Sequence, residues 1–170
     1  MDTIEAILSR RSCRSYTDQS VEPELLEQLL QAAMASPTAC NQRPWHFVVV
    51  DDRETLDQIS DVQAYSPMLK QAPLAIVVCS DGGDPAMGGA YWPQDCAAAT
   101  QNILLAAHAI GLGGVWLGIY PDDARVAGLR ELLGMPENIT PFCVISLGHP
   151  AKQPRPIDRY EPERIHKNKW

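Results

Sequence analysis

The sequence predicts an α+β or α/β sandwich, and three observations carry that reading. Four apolar runs of strand length, at 46–50, 74–79, 114–119 and 140–147, alternate with stretches of helical periodicity. The chain has 170 residues, a length that suits one domain spanning 1–170 and buries roughly 70% of the surface exposed by the unfolded chain. Its composition is 45% apolar and 21% charged, which leaves no room for long disorder or for a scaffold held by disulfides.

The elements follow in order. Residues 2–10 read as a short helix with Ile4, Ile7 and Leu8 on one face, and Arg10 and Arg11 at its C-terminal end, where cations suit the dipole. Pro23 opens a second helix whose stripe is Leu25, Leu26, Leu29, Leu30 and Ala33. The polar, turn-like stretch 36–45 leads into the first strand. Residues 53–61 form a short helix, and Pro67 starts a turn. The uninterrupted apolar run 74–79 is a buried strand. Four glycines and a proline make 81–89 a mobile loop. The longest helix, 94–110, is apolar on nearly all sides and belongs in the centre, with Gly111 as its cap. Strand 114–119, helix 122–133 with Gly134 at its C-cap, and strand 140–147 complete the body. The tail from 148 carries prolines at 150, 154, 156 and 162 and no apolar stripe, so it must lie over its own body or a partner.

Residues 96–121 lack any Asp, Glu, Lys or Arg, but four glycines and His108 make a buried helix and strand the better reading than a membrane span. The five cysteines, Cys13, Cys40, Cys79, Cys96 and Cys143, show neither C-x-x-C nor zinc-ligand spacing. Reduced thiols and a start without a signal-peptide core point to the cytoplasm. The net charge of −7 argues against a nucleic-acid binder. Yet the charge is uneven: 15–151 holds 16 acids against five bases, while both ends are basic. Basic ends on an acidic body suit convergence on an anion, and charge counting suits solvated basic tails equally well.

Three constellations carry chemistry. Arg10, Arg11, Ser12 and Arg14 lie within five residues, and such a cluster repels itself unless an anion such as a phosphate sits in it. The stiff loop around Pro37, Thr38, Ala39, Asn41, Gln42 and Pro44 offers amides that both donate and accept, as the edge of a heterocycle requires. Glycines at 111, 113, 114 and 118 let backbone approach a flat ligand; no Lys-Ser/Thr follows, which excludes a P-loop. No G-x-S-x-G elbow is present, and no histidine pairs with a nucleophile in the sequence.

In order and spacing these blocks resemble the nitroreductase family of FMN-dependent oxidoreductases, in its compact branch. The matching residues are Arg10-Arg11-Ser12-x-Arg14, Pro37-Thr38-x-x-Asn41-Gln42-x-Pro44-Trp45, Gln94-Asp95-Cys96, Gln101-Asn102, Gly111-Leu112-Gly113, Trp116-Leu117-Gly118 and Gly148-His149-Pro150. The resemblance implies an α+β fold with a mixed, mainly antiparallel four-stranded sheet flanked by helices, and a C-terminal extension, 148–170, embracing a dimer partner. It implies a homodimer with FMN at the subunit interface. Arg10, Arg11 and Ser12 would hold the phosphate, and Arg14 would lie near N1 and the C2 carbonyl. Pro37, Thr38, Ala39 and Asn41 would touch the ring from the other subunit, with Gln42 nearby. Trp116, Leu117 and Gly118 would stand at the N5 and O4 edge. Arg159 is the tail residue chosen for the phosphate, with Lys152 or Arg155 as the alternatives. NADH or NADPH would deliver hydride to flavin N5, and a nitroaromatic, quinone or related acceptor would then remove it in ping-pong fashion. No side chain is implied as a nucleophile, and no metal. A flavin-binding sensor or carrier without turnover, or another reduction such as dehalogenation, would use the same scaffold.

Overall fold

A computed structural model describes residues 1–152 and 155–170; Pro154 of the tail lies outside the described residues. Five helices and four strands follow one another as α1 (Thr3–Ser9), α2 (Pro23–Met34), β1 (Trp45–Val50), α3 (Arg53–Val62), β2 (Leu74–Ser80), α4 (Trp92–Ala109), β3 (Gly113–Gly118), α5 (Asp123–Leu132) and β4 (Thr140–Gly148). Short 3-10 turns fall at Ala39–Asn41, Pro67–Lys70, Pro85–Met87, Gly89–Tyr91 and Pro162–Arg164.

Local chemistry sets these boundaries. Asp2, Asp52 and Asp122 cap α1, α3 and α5 by accepting from first-turn amides, each such cap contributing about 1 kcal/mol. Pro23 and Pro93 sit in first turns, where no amide hydrogen is needed. Gly111, at φ +89°, ends α4 and donates to His108 O at 3.2 Å.

The sheet order is β1-β2-β4-β3, and all three pairings are antiparallel, which is the main component of the expected mixed sheet. The central strand β2 is buried along its whole length. Its alternate residues face two cores, because side chains switch faces every residue. Ala75, Val77 and Cys79 meet Leu56, Ile59 and Leu129 of α3 and α5. Leu74, Ile76 and Val78 meet Leu29, Ala99, Ile103 and Ala107 of α2 and α4. Each fully buried Val, Ile or Leu contributes about 1.5–3 kcal/mol.

One face departs from this economy. Ile4, Ile7 and Leu8 of α1 are exposed, as are Ile157, Tyr160, Ile165 and Trp170 of the tail. The periodicity of α1 is real, but among the described residues the stripe stays exposed. No helix among the described residues is long and apolar enough to cross a membrane. All five cysteines are free thiols.

Candidate functional site

The cationic segment is fastened to the start of β3. Arg10 caps α1, its amide donating to Ala6 O at 3.0 Å. The chain then extends, and Cys13 N donates to Gly114 O at 3.0 Å. Gly113 permits this approach, since a Cβ there would stand 2.7 Å from both Cβ and Sγ of Cys13. Residues 15–17 next pair with 149–151: Thr17 N donates to His149 O at 2.9 Å and Ala151 N to Ser15 O at 3.0 Å. Tyr16 pins the junction from beneath. Its buried phenol donates to Cys13 O at 2.8 Å and accepts from Ser146 Oγ at 2.7 Å. Burial drives its pKa up, so it stays a donor.

The two basic ends therefore meet. Arg11 donates to Arg10 O at 2.6 Å and to Ile157 O of the tail, while its buried Nε has no partner. Burial, then the neighbouring Arg11 and Arg159, hold the Arg10 pKa below the usual arginine value. Among the described residues no carboxylate lies within ion-pair distance of Arg10, Arg11, Arg14 or Arg159. Ser12 and Arg14 of the same segment are exposed, and so are Lys152 and Arg155 of the tail. A cleft of about 610 Å³ opens here between Ile7, Leu8, Arg10, Arg11, Ile157 and Arg159.

β3 leads away from this cluster. At ~3.4 Å per residue its far end, Gly118, lies about 17 Å from Gly113. Trp116 packs edge-on against Phe142, with centroids 5.6 Å apart, and Leu117 is buried. Gly118 is exposed, and a Cβ there would meet nothing within 4 Å. Neither packing nor a positive φ accounts for glycine at this point. Its carbonyl accepts from Gln63 Nε2 at 2.6 Å and from Arg125 Nη1 at 3.3 Å, which fixes the peptide plane.

The loop after α2 is built on strain. Cys40, Asn41 and Arg43 adopt φ of 50°, 55° and 54°, left-handed conformations that cost about 1–2 kcal/mol each for residues with a Cβ. Braces hold them: buried Asp95 accepts from Ala39 N at 3.0 Å, and Thr38 Oγ1 accepts from Arg43 N at 3.1 Å. Gln42 directs its carboxamide at the 81–91 segment. Pro37, Thr38 and Ala39 form one wall of a groove of about 360 Å³, and Tyr91, Gln94 and Asp95 form the other.

The expected site residues thus fall into two groups. Arg10, Arg11, Ser12, Arg14 and Arg159 adjoin one end of β3, and Trp116, Leu117 and Gly118 lie toward the other. Pro37, Thr38, Ala39, Asn41 and Gln42 precede β1 at the opposite edge of the sheet. Three strand spacings of ~4.8 Å separate β1 from β3, about 14 Å. Sequence reasoning assigned no role to Tyr16, Asp95 or Gln63. Asp95 lies within a quoted motif, but a lone acid at a helix start reads as a dipole partner. No group of three His, Cys, Asp or Glu among the described residues is placed to hold a metal.

The Nitroreductase family model matches residues 7–64 and 57–149. A "Putative NADH dehydrogenase/NAD(P)H nitroreductase" of Methanothermobacter thermautotrophicus is 51% identical over 170 residues, covering 100% of this chain and 88% of the relative. An FMN-dependent nitroreductase from Clostridium difficile R20291 superposes with a TM-score of 0.90 at 31% identity, covering 98% of this chain and 99% of the other. An NADPH:FMN oxidoreductase from Vibrio harveyi, solved in complex with NAD+, gives a TM-score of 0.83 at 28% identity, covering 99% of this chain and 77% of the other. The match from 7 to 149, together with the shared fold, shows that this chain belongs to the Nitroreductase family.

Proposed function

We propose that the chain is an FMN-dependent oxidoreductase that takes electrons from NADH or NADPH and passes them to a nitroaromatic, quinone or related acceptor. The observation that carries this reading is the arginine cluster, unpaired with any carboxylate among the described residues and fastened to a strand that ends in a glycine facing open space. A flat group with a phosphate tail suits both ends. The orphaned Arg11 Nε and the space above Gly118 are the two features that fit it.

FMN, when bound, supplies two-electron chemistry that no side chain here offers. The chain supplies position and charge. Arg10, Arg11, Ser12 and Arg159 bind the phosphate by charge-assisted hydrogen bonds. Arg14 would place a cation beside the ring, where it would favour an anionic form of the bound group. Gly118, held by Gln63 and Arg125, presents its backbone at the reacting edge, and Leu117 and Trp116 support it. Pro37, Thr38, Ala39 and Asn41 lie at the far edge of the sheet in their own chain, so they close the site of a second copy.

The working unit in this reading is a homodimer of single-domain chains. The exposed faces of α1 and of the tail 148–170 provide its apolar surface. The free thiols suit a reducing compartment such as the cytoplasm. The test is the visible spectrum of the purified protein, with mass identification of the released cofactor, followed by steady-state NAD(P)H oxidation. FMN and sustained turnover with a quinone support the reading. FAD as the main species overturns the cofactor assignment, and bound FMN without turnover favours a sensor or carrier.

A further inference from the structure

We infer that Gln42 is a positioning residue that fixes the 81–91 segment over the acceptor groove and so restricts which acceptors enter. The inference rests on the reading of 37–41 as a wall of the reaction site.

The amide of Gln42 is used at both ends. Its Oε1 accepts from Asp84 N at 2.5 Å, and its Nε2 donates to Met87 O at 2.6 Å. Only a carboxamide does both; a carboxylate has no donor for Met87 O. The partner segment is shaped to receive it. Gly83 has φ +63°, and a Cβ there would stand 2.6 Å from Gln42 Oε1. Gly88 has φ +91°, and a Cβ there would stand 3.8 Å from Ala39 Cβ and 3.3 Å from the Tyr91 ring. Two left-handed glycines thus let 83–88 lie directly on the 39–42 turn. The start of the segment has its own ties: Asp81 N donates to Pro44 O at 3.1 Å, and Asp81 pairs with His46 at 3.5 Å. Beyond Gly83, Gln42 is the side chain of the loop that hydrogen-bonds the segment. Tyr91, at the segment's end, and Ala39, on the loop, face the same groove of about 360 Å³. Asp95 already ties α4 to Ala39, so what the held segment sets is the position of Tyr91, the lining residue it contributes. Both ends of the Gln42 amide are taken up by this segment, and Gln42 is not among the residues that line the groove.

The test compares Gln42→Ala with Gly83→Ala in the intact FMN-loaded protein. Gly83→Ala keeps the Gln42 amide but drives the segment off it. In both variants, amide exchange over 82–91 should quicken about tenfold, as expected when hydrogen bonds that closed the segment are lost. The FMN dissociation constant should stay within about threefold of the parent, well under the tenfold that 1.4 kcal/mol represents. The kcat/KM ratio of a two-ring naphthoquinone to para-benzoquinone should rise about fivefold in both, mostly through KM. Unchanged exchange with an FMN affinity loss confined to Gln42→Ala would make Gln42 a cofactor contact and overturn the inference. Faster exchange with an unchanged acceptor ratio would overturn it too, by separating the segment from the groove. Absence of FMN or of turnover in the parent protein would instead refute the functional reading, and the exchange measurement would still report on the tie.

Discussion

The two regions assigned to cofactor binding are built on opposite principles. The 10–14 segment is relaxed in backbone and unbalanced in charge. It hangs on β3 through Cys13 and on β4 through Tyr16, and among the described residues its guanidiniums have no carboxylate within ion-pair distance. The 36–44 loop is the reverse: three left-handed residues strain it, and Asp95, Thr38 and Gln42 brace it. In the proposed site the first region is completed by an anion, whereas the second is held by its own chain before any ligand arrives. Losses in the first should therefore appear as affinity, and losses in the second as stability.

Arg10→Ala gives the largest expected effect. It removes a charge-assisted phosphate contact worth roughly 1.5–3 kcal/mol, so FMN affinity should fall about ten- to a hundredfold. Activity should return with excess FMN. The ligand-free protein should melt no lower than the parent, because Arg10 is repelled by Arg11 and Arg159. A clear drop in ligand-free stability would erase the contrast between the regions. Asp95→Ala should behave the other way. It leaves Ala39 N without its acceptor and releases the left-handed turn, at a cost of about 1–2 kcal/mol in ligand-free stability by thermal or denaturant unfolding. Unaltered stability would show that the turn holds itself.

Arg14→Ala separates position from phosphate grip. It should lower the two-electron potential of the bound flavin, by roughly 30 mV for each 1.4 kcal/mol of lost differential stabilisation. The variant should stay slow when saturated with FMN. An unchanged potential with full rescue by FMN would place Arg14 with the phosphate group instead. The smallest effect concerns the cysteine that each region carries. Cys40 is exposed and Cys13 is buried against Gly113. Burial also pushes the Cys79 and Cys143 thiols up to about 12. Alkylation of the native protein at mildly basic pH, followed by peptide mass mapping, should modify Cys40 first. Faster labelling of Cys13 would mean that the β3 attachment opens readily.

Most of the fold was legible because its signals are local. Pro23, Gly111, Gly134 and the unbroken apolar run of β2 bound their elements to within two residues. The arginine cluster was legible for the same reason: charges close in sequence repel wherever they fold. What escaped is long-range. The left-handed run at Cys40, Asn41 and Arg43 contains no glycine to announce it and depends on Asp95, more than fifty residues away. Gln63 reads as a surface residue after a helix, yet it is buried and holds the Gly118 carbonyl 55 positions along. The stripe of α1 showed that a surface was wanted, while its periodicity carried no information about what covers it.

The central claim is that the cationic segment of one subunit and the strained loop of the other build one site. Co-expressing differently tagged Arg10→Ala and Ala39→Trp chains, the second filling the ring-binding wall with a bulky side chain, and isolating the hybrid dimer tests it directly. In a shared site, one half of the hybrid carries both lesions and the other carries neither. The account predicts about one FMN per hybrid dimer at parental affinity, half the occupancy of the symmetric parent. If both regions belonged to a single subunit, each half would keep one lesion. A hybrid showing no site of parental affinity would contradict the account.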